Sequence, residues 1–202
     1  MRKTSILTLL LCMIAALTMT SCLSDDDDNK GLTKEEQHTA YLSVAGEHSG
    51  QLVYYDSIFT NKPAKVDSVA TSVNFDTDST VTIYNFHVNS VAHFVSDATA
   101  KECLENAPAQ ILKCYTIFYG LSPVTFNILP QKLTFSTTAD GKPHTITLVF
   151  YLGYPNSYGV KSGKSLGLQI VLGGVFLDYE NITGGTNLLA NGLALPFYFN
   201  AK

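Results

Sequence analysis

A chain of 202 residues with 13 basic and 17 acidic side chains, net charge −4, makes one domain of ordinary size or two small ones. Hydrophobic residues are 46% of it and charged residues 15%, which excludes a disordered chain. The single arginine is Arg2, which excludes a surface built to displace counterions from nucleic-acid phosphates.

Arg2 and Lys3 open the chain, and Ile6 to Leu17 is a mostly apolar run. A helix of that length falls short of the ~30 Å of bilayer hydrocarbon, so residues 1–21 read as a signal peptide. Met19-Thr20-Ser21 before Cys22 resembles a lipobox, in which the cysteine is lipidated and becomes the new N-terminus. Met19 departs from the usual leucine at its position. Asp25 to Asp28 then form a run of carboxylates with nothing apolar to bury, so residues 22–32 read as the lipidated cysteine and an acidic tether. An acidic run directly after the cysteine resembles the surface-export signal of Bacteroidota lipoproteins. The expected location is therefore the outer membrane, lipid-anchored (palmitate) at Cys22 and exposed at the cell surface.

Residues 33–202 carry 10 lysines against 13 carboxylates, with no charge field to announce a partner. Thr33-x-x-Glu36 has capping-box form, and the spacing of Ala40, Tyr41 and Val44 predicts a helix over 34–45, stopped by Gly46. From Gly50 the period changes to two. Strands are predicted over 51–58, 65–75, 79–88, 110–119, 124–129, 132–138, 142–152, 165–177 and 194–200, rich in Thr, Val, Ile, Tyr and Phe. Asp76-Thr77-Asp78 and Ala139-Asp140-Gly141 predict hairpin turns, and Thr99-x-x-Glu102 predicts a short helical insertion over 99–106. The expected fold is all-β: one β-sandwich or closed β-barrel of about nine mostly antiparallel strands, with a short N-terminal helix and that insertion.

Leu32-Thr33-Lys34-Glu35-Glu36, Ala40-Tyr41, Val44-Ala45-Gly46 and Ser49-Gly50-Gln51-Leu52 are together similar to a family of small Bacteroidota lipoproteins carried as a domain of unknown function. The resemblance implies an envelope-attached β-domain and supplies no catalytic residues.

Several motifs look like chemistry and lack its context. Val73-Asn74-Phe75-Asp76-Thr77-Asp78-Ser79-Thr80 has the hhhDxDxT form of a phosphoryl-transfer nucleophile, but an alternating strand follows where a helix is required. Gly159 to Ser165 is one residue short of a phosphate loop. Gly46-Glu47-His48-Ser49-Gly50 places its serine one position late for a nucleophile elbow. The histidines at 38, 48, 87, 93 and 144 show no metal spacing. No catalytic residue, metal or cofactor is assigned.

Cys103 and Cys114 read either as a disulfide or as two buried thiols. Ser57, Ser68 and Ser79 each follow an aspartate in the pattern of O-glycosylation sites of exported Bacteroidota proteins. The stretch 153–161, broken by Gly and Pro, reads as a loop presenting Tyr154, Asn156, Tyr158 and Lys161 to a neutral glycan or peptide. The sequence thus points to a binding or structural module. The alternatives are an envelope hydrolase assembled from distant loops, and a subunit or accessory of a surface filament.

Overall fold

The computed structural model describes residues 31–59, 62–179 and 185–201. Residues 1–30, where the signal peptide is expected and where Cys22 and the acidic run fall, lie outside the described residues. Helix α1 (Lys34–Leu42) starts at the expected capping box: Thr33 Oγ1 accepts from the Glu36 amide, and Glu36 Oε2 accepts from the Thr33 amide at 2.8 Å. It stops short of the predicted end because Ser43 and Val44 turn the chain, their amides donating to Ala40 and Tyr41 carbonyls.

Ten strands follow among the described residues: β1 (Gly46–Phe59), β2 (Lys62–Thr77), β3 (Thr80–Phe86), β4 (Gln110–Leu121), β5 (Val124–Pro130), β6 (Leu133–Ala139), β7 (Lys142–Tyr151), β8 (Tyr158–Ser162), β9 (Ser165–Leu177) and β10 (Leu195–Ala201). All their pairings are antiparallel, in the order β10-β1-β2-β3-β4-β5-β8-β9, and β10 returns to pair with β9. Eight strands therefore close a barrel, and of the two expected architectures the barrel is the one formed. The β6–β7 hairpin extends from β9. Val171 and Leu172 pair with β7 on one edge and β10 on the other, while β8 takes the preceding stretch of the β7 edge. Strands β7 and β8 are thus one partner strand of β9, interrupted by the excursion 152–157.

Three sequence expectations change. The segment 158–162 is strand β8 and not the second half of a loop. Gly159 is there for packing: a Cβ at that position would sit 2.2 Å from Cζ of Phe126. Strand β3 ends at Phe86, where Asn85 has φ 53°, and a 3₁₀ helix (Val88–Phe94) replaces its predicted continuation. Helix α2 (Ala98–Glu105) is capped by Asp97, whose Oδ1 accepts from the Ala100 amide at 2.8 Å, and not by Thr99.

Aromatic side chains fill the barrel. Phe126 packs edge-on to Phe75 at 5.3 Å and tilted against Phe118 at 5.2 Å, and Phe86 meets Phe197 at 4.8 Å. Leu52, Ile83, Leu112 and Ile128 complete this core, burial that supplies most of the folding free energy. Ala40 and Val44 of the α1 segment are buried at the end where β4 turns into β5. The 3₁₀ helix and α2 bury Val91, Phe94, Cys103 and Leu104 at the opposite end, where β3 connects to β4.

Candidate binding surface on the outer wall

Strand β4 alternates strictly between buried and exposed residues. Leu112, Cys114, Thr116 and Phe118 face the lumen, while Ile111, Lys113, Tyr115, Ile117, Tyr119 and Leu121 face outward. The five apolar members of the outward row are 39–53% exposed. A strand with one wet face ordinarily turns polar residues to solvent, so a wall strand apolar on both faces departs from the rule. Contiguous exposed apolar surface marks interaction sites.

The row continues sideways. Tyr115 stands opposite Leu129 and Ile117 opposite Asn127 on β5, and Asn127 stands opposite Tyr158 on β8. Burial pushes the Tyr119 phenol above its ordinary pKa, partly offset by its hydrogen bond with Thr125, with Tyr154 and Tyr158 close enough to add to the rise. Tyr154 meets Tyr158 edge-on at 5.3 Å. Tyr119, Tyr154 and Tyr158 therefore gather on one wall.

The excursion 152–157 is pinned to the strands beside it. The Gly153 amide donates to the Ile128 carbonyl and the Tyr154 amide to Asn127 Oδ1, both at 2.9 Å. Ser157 is buried, its Oγ accepting from the Val171 amide at 3.2 Å. Gln169 Nε2 donates to the Asn156 carbonyl at 2.8 Å. A short loop held at this many points presents Tyr154 with little ordering left to lose on binding.

The four residues read from the sequence are placed in two groups. Tyr154 is 60% exposed over Tyr158, which is 9% exposed and forms the floor beneath it. Asn156 is half-buried, with its carbonyl turned to Gln169. Lys161 lies three residues beyond Tyr158, at the barrel end, where its Nζ donates to the Gly163 carbonyl at 2.7 Å. It lines a separate depression of about 420 Å³ with Ser43, Leu121 and Pro123.

A groove borders the wall on its β3 side. It has a volume of about 430 Å³ and is lined by Asp76, Thr82, Tyr84, Ile111, Lys113 and Gln131 among others. A further depression of about 240 Å³ shares Ile111, Lys113 and Gln131 with it. Strand alternation alone misses Tyr115, Ile117 and Tyr119 as surface residues. The signal that could have found them is that, Lys113 apart, the outward positions from Ile111 to Leu121 are all apolar or aromatic.

Cys103 on α2 and Cys114 on β4 are buried free thiols, the second of the two sequence alternatives. Burial pushes both thiols up, and the carboxylates of Asp178 and Glu102 raise Cys103 further, so neither favours the thiolate. Ser57 is half-buried on β1, Ser68 exposed on β2, and Ser79 exposed in the β2–β3 turn.

Residues 43–177 match the family described as Domain of unknown function (DUF4840), a range that runs from the end of α1 through β9 and stops before the closing strand β10. No curated protein and no solved structure matches the chain.

Proposed function

The chain belongs to the DUF4840 family of domains of unknown function, and from that premise we propose that it is an outer-membrane lipoprotein, anchored through Cys22 and displayed at the cell surface, whose barrel is a binding module working through its outer wall. The anchor reading is supported by the short apolar run of the leader, by Cys22 after Ser21 and by the carboxylates that follow. The observation that carries the binding reading is the outward row of β4. Its tyrosine and aliphatic side chains keep about half their surface in water while the lumen beneath is filled by phenylalanine rings. A ligand of this protein meets the wall and not a cavity inside the barrel. Tyrosine offers such a ligand a large apolar face and a hydroxyl at low conformational cost, which suits a neutral glycan or a peptide.

Hydroxyl-radical footprinting tests the reading by comparing the purified full-length chain with the same chain on intact cells. The expected result is protection of Tyr115, Ile117, Tyr119 and Tyr154 on cells, with Leu42 and Tyr179, exposed elsewhere, reacting equally in both. Equal reactivity of the wall residues in both settings would contradict it.

A further inference from the structure

We propose that the groove between β3 and β4 binds a neutral saccharide, read by Asp76 and Lys113 beside the apolar faces of Ile111 and Tyr84. The inference deepens the outer-wall reading by naming a ligand class for its β3 border. A volume of about 430 Å³ falls in the ~300–1,000 Å³ range of small-ligand sites, and the adjoining depression past Lys113 lets a longer chain continue.

The polar groups are prepared for hydroxyls. Asp76 Oδ2 accepts from Thr82 Oγ1 at 2.7 Å, and Oδ1 accepts from Asn74 Nδ2. A carboxylate has about four acceptor positions, so capacity remains on a group whose orientation is already fixed. Lys113 stands opposite Thr82 across the β3–β4 ladder, and its ammonium group has no hydrogen-bond or ion-pair partner among the described residues. Gln131 is held beside it, its amide donating to the Lys113 carbonyl at 2.9 Å, and its side chain adds a donor and an acceptor. An acceptor on one rim and donors on the other match vicinal hydroxyls, each of which both donates and accepts. The C–H face of a sugar ring is left for Ile111 and Tyr84.

Competing ligand classes fit less well. Asp76 repels an anion, and one lysine without an arginine makes a poor phosphate or sulfate site. An extended peptide that adds to a sheet needs a free strand edge, whereas β3 and β4 are each paired on both sides. Recognition here must come from side chains.

The test is isothermal titration calorimetry of the full chain with soluble β-glucan, mannan and xylan, and with polygalacturonate as the anionic comparator. The expected result is binding of at least one neutral polymer in preference to polygalacturonate. Asp76→Asn and Lys113→Ala should each weaken it about tenfold or more at an unchanged melting temperature, with Leu42→Ser, exposed away from the groove and the wall, leaving it intact. No heat with any neutral polymer, or affinity unchanged in both groove variants, would overturn the proposal. Loss in Tyr119→Ser with Asp76→Asn unaffected would move the saccharide onto the wall, overturning the groove and sparing the outer-wall reading. Saccharide binding through the groove by a chain whose wall tyrosines react equally on cells and in solution would leave the groove standing and the wall reading refuted.

Discussion

Along β4, Leu112, Cys114 and Phe118 point into the barrel and are almost wholly buried. Ile111, Tyr115, Ile117 and Tyr119, one residue out of step on the same strand, keep half their surface in water. The two rows have similar chemistry and opposite surroundings. Neighbouring β3 is nearer the ordinary arrangement, with Val81 and Ile83 inward and Thr80, Thr82 and one aromatic, Tyr84, outward. The lumen therefore accounts for the apolar inner row, while folding gains little from the outer one. The proposed binding surface rests on this contiguous row of apolar side chains that stay half wet.

The largest effect expected from breaking this comparison is on the inner row. Phe118→Ala removes a ring packed against Phe126 and leaves a cavity that the closed barrel resists collapsing, so we expect a loss of about 3–5 kcal/mol of stability. Urea unfolding should show it as a lower midpoint at unchanged slope.

A polar contact gives the scale for a half-exposed residue. At the junction of β7 and β9, Asp178 Oδ1 accepts from the Thr145 amide at 2.9 Å, and Oδ2 lies 2.8 Å from Nδ1 of His144. The Thr145 bond first, and then His144, hold the Asp178 carboxyl below its ordinary pKa of 3.8. A carboxyl depressed in the folded state stabilises above its unfolded pKa, and the contribution is lost as pH falls through the folded value. With its side chain 51% exposed, Asp178 should contribute less than about 1 kcal/mol. Melting temperatures measured from neutral pH down through the carboxylate range should show Asp178→Asn losing less to acid than wild type. Parallel curves would assign the acid sensitivity to other groups.

Much of the barrel was legible because its strands obey the period of two. Strand β9 begins and ends where the pattern of Ser165 to Leu177 places it, and the turn at Asp140-Gly141 forms with both residues at positive φ, as a tight hairpin requires. Strand β8 was hidden because glycine and proline punctuate 153–159 as they punctuate loops. Gly159, however, answers to the Phe126 ring on the paired strand β5, a contact 33 residues away in sequence that local patterning does not carry. The Tyr154–Tyr158 pair was legible from composition. Its joining to Tyr119 depends on the register of β4, β5 and β8 and emerges only when the barrel closes. The groove was hidden for the same reason: Asp76 comes from β2, Lys113 from β4 and Gln131 from the link between β5 and β6.

The central claim is that the outward row of β4 serves a partner and not the fold, and equilibrium unfolding of one variant tests it most directly. Replacing Tyr115, Ile117 and Tyr119 together by threonine keeps good strand formers and strips the wall of its apolar surface. The account predicts a total loss of no more than about 1.5 kcal/mol, the sum expected for three surface positions, with the unfolding slope unchanged. A loss of about 3 kcal/mol or more, comparable to Phe118→Ala, would contradict it and make the outer row part of what holds the barrel together.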